Sequence, residues 1–277
     1  MLITTDARHI SRVLADQRST IDLAVTSPPY YELAQYGDNP AEIGHELTPA
    51  RYVDQLMVVM NELRWLKIPI VAVNIGDSYA GSGGPGGDYT SGNKKERLRY
   101  RGTAALEREA RKNGIENEWP IPTSLCLTPE LFRLSAVMGR NPITGVVCSR
   151  WVARSVIIWA KKALPRAPFR TKALPTYETI VILTDPTRKT GWKALKNLEK
   201  WEGQGNLWEI PPARGKEAHG RAPWPSELPR RIIEATSAQV VLDPFHGGGN
   251  TMKACQMYDD VEYIGVDLYS EAEWRVP

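Results

Sequence analysis

Short unbroken apolar runs alternate along this chain with stretches in which apolar residues recur every three or four positions. Ile21 to Val25, Ile68 to Ile75, Ser155 to Ala160, Thr179 to Leu183, Val240 to Asp243 and Tyr263 to Asp267 have the length and composition of buried strands, and Met1 to Thr4 reads as a shorter one. Helical spacing recurs over Arg8 to Ala15, Thr48 to Leu66, Pro129 to Met138, Arg230 to Ala235 and Met252 to Met257. The clearest amphipathic helix opens at Thr48-Pro49 and carries Tyr52, Leu56, Val59, Met60 and Leu63 as an apolar stripe, which predicts core packing. This alternation predicts an α/β fold, an open and mostly parallel sheet with helices on both faces and ligand loops at the carboxyl ends of the strands.

Two of those strand ends carry unusual chemistry. The first apolar run stops at Thr26-Ser27-Pro28-Pro29-Tyr30. Two prolines fix their own φ and push the preceding residues toward extended conformations, so Ser27 and Pro28 form a stiff corner. Neither proline has an N–H, whereas the Ser27 hydroxyl and the Pro28 carbonyl both accept hydrogen bonds. The exocyclic amino group of a nucleobase carries two matching hydrogens, and Tyr30 would give the ring a stacking face. Taken alone, Ser-Pro-Pro-Tyr fits a rigid loop or a polyproline ligand equally well. The second strand end is Asp243-Pro244-Phe245-His246-Gly247-Gly248-Gly249-Asn250-Thr251, an acidic residue and a glycine turn leading into a helix. Asp267 ends the next strand with another carboxylate, suited to a ribose hydroxyl. The loop lacks the Lys-Ser/Thr of a phosphate loop, and carboxylates at both strand ends suit a cationic or hydroxyl-bearing ligand better than a pyrophosphate.

Asp243-Pro244-Phe245 with Gly247, Gly249 and Thr251 resembles the S-adenosylmethionine loop of DNA methyltransferases that modify amino groups, and Ser27-Pro28-Pro29-Tyr30 resembles their catalytic loop. The catalytic loop comes first, as in the permuted, β-type order of that family. The resemblance implies a Rossmann-like sheet with Val240–Asp243 beside Ile21–Thr26, closed at one edge by an antiparallel pair formed by Ser155–Ala160 and Thr179–Leu183. It implies S-adenosylmethionine as cofactor and duplex DNA as substrate. Asp243, Pro244, Phe245, Gly247, Gly249, Thr251 and Asp267 would hold the cofactor. Asp6 is a candidate for its adenine ring, a helix N-cap being the other reading. Asp77, in Gly76-Asp77-Ser78-Tyr79, would help shape the target-base pocket or simply form a turn. The stretch Leu207-Trp208-Glu209-Ile210-Pro211 followed by Pro223-Trp224-Pro225-Ser226 resembles the segment lying over the cofactor's methionine end. Serine at the head of the catalytic loop favours cytosine N4 over adenine N6.

Composition narrows the picture further. The chain has 277 residues, enough for one α/β domain with insertions, and a formal net charge of +3, so contacts to nucleic acid must come from local clusters. One cluster, Lys94, Lys95, Arg97, Arg99 and Arg101, follows Gly81 to Gly87 in an expected flexible insertion at about 80–119 and reads as a phosphate clamp. A second, Arg166, Arg170 and Lys172, has no acidic residue near it and is a further candidate for backbone contact. A small target-recognition segment is expected at about 185–207. Cys126, Cys148 and Cys255 are isolated, four scattered histidines give no metal constellation, and neither a signal peptide nor a membrane-spanning run is found. Those features predict a cytoplasmic protein, and a cognate restriction endonuclease is a candidate partner. An RNA or protein methyltransferase, and a catalytically inactive DNA-binding module, are the competing classes; intact Ser27, Tyr30, Asp243 and Gly249 weigh against the latter.

Overall fold

The alternation of apolar side chains within single strands sorts them onto two cores. Val71, Val73 and Ile75 face one core while Ile70 and Ala72 face the other; Val181 and Leu183 are likewise separated from Ile180 and Ile182. Strands buried on both faces need continuous apolar runs, which is why these segments showed no polar face. The computed structural model describes residues 1–32, 39–80, 103–161, 176–188, 205–213 and 224–270.

Among the described residues eight strands form one sheet: β1 (Leu2–Thr4), β2 (Leu23–Thr26), β3 (Ile70–Ile75), β4 (Val152–Ala160), β5 (Tyr177–Thr184), β6 (Leu207–Glu209), β7 (Val240–Asp243) and β8 (Glu262–Asp267). Their spatial order is β1-β8-β7-β2-β3-β5-β4-β6. β5 runs antiparallel to both of its neighbours, β3 and β4, and every other pairing is parallel. The expected antiparallel pair is therefore present. It does not end the sheet, because β6 adds a parallel strand outside β4. Leu207–Glu209 is thus an edge strand with Trp208 buried in the second core, which corrects the expectation that this stretch covers a cofactor.

Helices α1 (Ile10–Val13), α2 (Pro49–Trp65), α3 (Thr103–Lys112) and α4 (Thr128–Met138) supply one core, and α5 (Glu227–Thr236) and α6 (Asn250–Cys255) supply the other. Thr48 caps α2 as its sequence predicted, its hydroxyl accepting from Arg51 N at 3.2 Å. The predicted helix over Arg8 to Ala15 is instead broken into a 3-10 turn, the four residues of α1 and a second 3-10 turn. The insertion at 80–119 divides as well. Its later part is α3, with Leu106 and Ala110 in the first core and Trp119 Nε1 donating to Leu47 O, so it is packed; residues 81–102 lie outside the described residues. No described helix is long and apolar enough to cross a membrane.

The chain leaves β2 toward β3 through α2 on one face, and leaves β7 toward β8 through α6 on the other. β2 and β7 are neighbours, with Leu23 beside Val241 and Ala24 beside Leu242. Their junction is the topological switch point of the sheet, where open α/β sheets form a crevice.

Candidate active site

Both chemically distinctive loops emerge at that crevice. Thr26, the last residue of β2, donates its hydroxyl to Asp243 Oδ1 at the end of β7, at 2.7 Å and out of contact with solvent. The serine-proline corner and the glycine loop are therefore joined by one buried hydrogen bond across 217 residues of sequence. Asp243 also accepts from Phe245 N at 3.0 Å. Burial pushes its carboxyl above the usual carboxylate range, opposed by the nearby Thr251 hydroxyl and by the hydrogen bonds from Thr26 and Phe245 N. Asp243 thus holds the two loops together.

Gly247 and Gly249 turn the loop at φ +50° and +74°, conformations that glycine adopts at little cost, and Gly249 caps α6. The loop is strapped to β8: His246 N donates to Val266 O at 2.8 Å and Gly247 N to Asp267 Oδ2 at 2.8 Å. Tyr269 N completes the turn with a bond to Asp267 Oδ1 at 3.0 Å. His246, Asp267 and Tyr269, together with Leu2, Ile3, Thr4 and Gly265, line a cavity of about 220 Å³. Asp6, a candidate for this region, caps the first 3-10 turn and is paired to Arg8 at 2.6 Å, so the capping alternative describes it. Thr251 is fully buried beside Asp243, and Phe245 packs against the first core. Asn250 Nδ2 donates to Trp224 O at 2.8 Å, bringing the Trp224-Pro225-Ser226 end of the proline-rich segment to the start of α6.

The serine-proline corner is fixed from several sides. Tyr52, on the α2 stripe, donates its hydroxyl to Pro29 O at 2.8 Å, and Glu32 N bonds Gly44 O at 2.9 Å. Among the described residues no donor reaches the Pro28 carbonyl, whereas Ser27 Oγ lies 3.1 Å from the Tyr30 hydroxyl. Tyr30 departs from expectation. Its ring is buried, with 5% exposure, and packs so closely on Gly76 that a Cβ there would lie 2.9 Å from Cε2. It offers little open face for stacking and acts instead as a pillar of the corner. Gly76→Ala is accordingly expected to displace Tyr30, at a cost of about 1–3 kcal/mol for overpacking, and to lower the activity of a site built on this corner. Parallel thermal melts and single-turnover assays of that variant check this.

Three residues that the sequence did not single out form a network with Tyr30. Its hydroxyl donates to Glu178 Oε2 on β5 at 2.6 Å and accepts from Asn74 Nδ2 on β3. Asn74 also donates to Glu178 Oε2 at 2.7 Å, and Lys161 at the end of β4 pairs with Glu178 Oε1. Asp77, expected near the base pocket or in a turn, accepts from Leu127 N, Thr128 N and the Thr128 hydroxyl, and so fixes the start of α4. Lys94, Lys95, Arg97, Arg99, Arg101, Arg166, Arg170 and Lys172 lie outside the described residues, as does most of the expected recognition segment.

An acidic cluster braces the segment after the corner. His45 Nδ1 lies 3.0 Å from Glu32 and Nε2 3.4 Å from Glu42, while the Tyr269 hydroxyl donates to Glu42 at 2.8 Å. Burial lowers the pKa of His45, but the hydrogen bonds and charges of Glu32 and Glu42 prevail and raise it to about 9. A folded-state value above the ordinary 6.5 means that this stabilisation is complete below about pH 6.5 and is lost as the pH rises toward 9. The melting temperature is expected to fall between pH 7 and 9, and His45→Gln to flatten that fall; a wild-type profile flat over this range contradicts the assignment.

An open sheet of this order, with a glycine loop after β7 and a serine-proline corner after β2, defines the class of permuted Rossmann-like methyltransferases. The family model for DNA methylases matches residues 21–273, so the chain belongs to that family: it is an S-adenosylmethionine-dependent DNA methyltransferase. Among curated relatives, the Type II methyltransferase M.Cfr9I of Citrobacter freundii is 28% identical over 98% of this chain and 84% of its own length. M.SmaI of Serratia marcescens is 27% identical over 98% and 87%. Two solved structures share the fold. TTHA0409 of Thermus thermophilus superposes with a TM-score of 0.51 at 23% identity over 97% of this chain and 88% of its own. M1.HpyAVI, solved as its SAM complex, gives 0.50 at 15% identity over 99% and 96%.

Proposed function

We propose that this chain methylates the exocyclic N4 amino group of a cytosine turned out of duplex DNA, at a specific site, as the modification half of a restriction-modification pair. The observation that carries the reading is the Thr26–Asp243 hydrogen bond, which puts the acceptor corner and the glycine loop on one crevice. An amino group inside the base stack is out of reach of a donor in that crevice, so the base must leave the duplex.

The residues present fit the donor. Gly247 and Gly249 keep side chains off the loop, Asp267 offers carboxylate oxygens to ribose hydroxyls, and Tyr269 and His246 give the cavity flat walls. At 220 Å³ the cavity is smaller than the roughly 300–1,000 Å³ of pockets for drug-sized ligands, so it suits one part of the donor rather than all of it. When bound, S-adenosylmethionine supplies a methyl group activated by a sulfonium.

The chain's own part is to prepare the amine. The nitrogen lone pair of an aminopyrimidine is delocalised into the ring and is a poor nucleophile. Accepting its two hydrogens at Ser27 Oγ and Pro28 O draws the nitrogen toward tetrahedral geometry, and sets acceptors where positive charge develops. Tyr52 and Gly44 hold that corner in place, so orientation is fixed before the amine arrives. The basic clusters at 94–101 and 166–172 are assigned to phosphate contacts.

Incubating the protein with S-adenosylmethionine and duplex DNA, then digesting to nucleosides for mass spectrometry, tests the reading. N4-methylcytosine is expected. N6-methyladenine would overturn the choice of cytosine while keeping amino-group methylation of DNA, and methyl label appearing only in RNA or protein would overturn the reading as a whole.

A further inference from the structure

The bonds around Tyr30 determine which way the Ser27 hydroxyl points. A phenol has one proton to give and two lone pairs to fill. Glu178 Oε2, 2.6 Å away, can only accept, so the Tyr30 proton is committed to it. Asn74 Nδ2 can only donate, and fills one lone pair of the phenol. The remaining position, 3.1 Å from Ser27 Oγ, is then an acceptor, so Ser27 must donate to Tyr30. A serine whose proton is spent in this way presents only lone pairs elsewhere, which is what an amine donating its hydrogens requires.

From this network we propose that Glu178 is a positioning residue for methyl transfer: acting through Tyr30, it polarises the Ser27 hydroxyl so that Ser27 meets the target amine as an acceptor. The inference rests on the proposed function at Ser27. It also gives the proton a way out. The nitrogen lone pair forms the new N–C bond while the C–S electron pair leaves with sulfur, and the methylated nitrogen carries one proton too many. That proton passes to Ser27 Oγ as the Ser27 proton moves to the phenol oxygen and the phenol proton to the Glu178 carboxylate, leaving a neutral amine and a protonated carboxyl.

Lys161 makes the idea testable. Its ammonium donates to Glu178 Oε1, while Tyr30 and Asn74 donate to Oε2, so all the partners require acceptors. In a Glu178→Gln variant the amide oxygen is held by the charged donor, the stronger of the two claims, and the NH2 turns to Tyr30. The phenol proton is then driven toward Ser27, and the Ser27 proton toward the substrate. Glu178→Gln is expected to lower the single-turnover methylation rate about 10–100-fold with donor and DNA affinities within about two-fold of wild type. Adding Lys161→Met frees the amide to turn its oxygen to Tyr30 and recovers part of the rate, a response that simple structural damage does not give. A Glu178→Gln enzyme at the wild-type rate, or a double variant no faster than Glu178→Gln alone, overturns the proposal. If Glu178→Gln does not fold, Tyr30→Phe cuts the same chain while leaving Glu178 on Asn74 and Lys161, and must show the same loss with donor affinity intact. Full activity in Ser27→Ala sinks the proposed function itself; an inactive Ser27→Ala beside a fully active Glu178→Gln sinks only the role of Glu178.

Discussion

Ser27→Ala is expected to lower the rate of methyl transfer by about 10²–10³-fold, the loss typical of removing one preorganised hydrogen-bonding group from a site of developing charge. The donor should still bind, because the glycine loop is held by Asp243 and β8 and not by the Ser27 hydroxyl. Stability should hardly change, since the hydroxyl is partly accessible and its one protein partner, Tyr30, keeps its bonds to Glu178 and Asn74. Single-turnover transfer of labelled methyl to duplex DNA, measured beside equilibrium binding of the donor, separates the two effects. Pro28→Ala should be damaging for another reason: it keeps the carbonyl and loses the fixed φ that aims it.

Asp243→Ala should have the largest effect on the molecule as a whole. The carboxylate is buried and accepts from Thr26 Oγ1 and Phe245 N, so its loss leaves buried donors without an acceptor. About 2–4 kcal/mol of unfolding free energy should disappear, together with donor binding, because the same atoms that stabilise the crevice shape the loop. Thr26→Val removes one of these bonds without changing the volume much, and should cost about 1–2 kcal/mol. Denaturant unfolding and equilibrium dialysis on both variants check the ranking.

What was legible beforehand follows the range of each interaction. Strand and helix positions came through because doubly buried strands and amphipathic helices leave local patterns, as at Ile70–Ile75 and Pro49–Trp65. The serine-proline corner and the glycine turn were legible because prolines and glycines constrain the backbone by themselves. Their meeting at β2 and β7 was expected from strand ends and family order, and the 2.7 Å bond gives it an atomic form. Contacts between distant residues left no such trace. Glu178 lies 148 residues from Tyr30, and nothing in Tyr177-Glu178-Thr179 distinguishes it from an edge carboxylate. Asp77 reads from its neighbours as part of a base pocket or as a local turn, yet three of its four hydrogen bonds among the described residues go to Leu127 and Thr128, some 50 residues away. Tyr30 was assigned a stacking face because aromatic residues beside nucleobases usually stack; the absence of a side chain at Gly76 is what lets it sink into the wall instead. The stretch at 207–211 was drawn toward the cofactor by its tryptophan and by the prolines that follow, but a free sheet edge beside β4 claimed Leu207–Glu209.

Methyl transfer by this chain requires the acceptor corner and the methyl donor to share one crevice. A crystal structure of the protein with S-adenosylhomocysteine, the demethylated donor, tests it most directly. The nucleoside half is expected in the cavity beside Asp267 and Tyr269, the loop at Gly247 and Gly249 against the ligand, and the sulfur directed toward Ser27 Oγ and Pro28 O. A ligand seated elsewhere, or one whose sulfur faces away from Ser27 across the sheet, would contradict it.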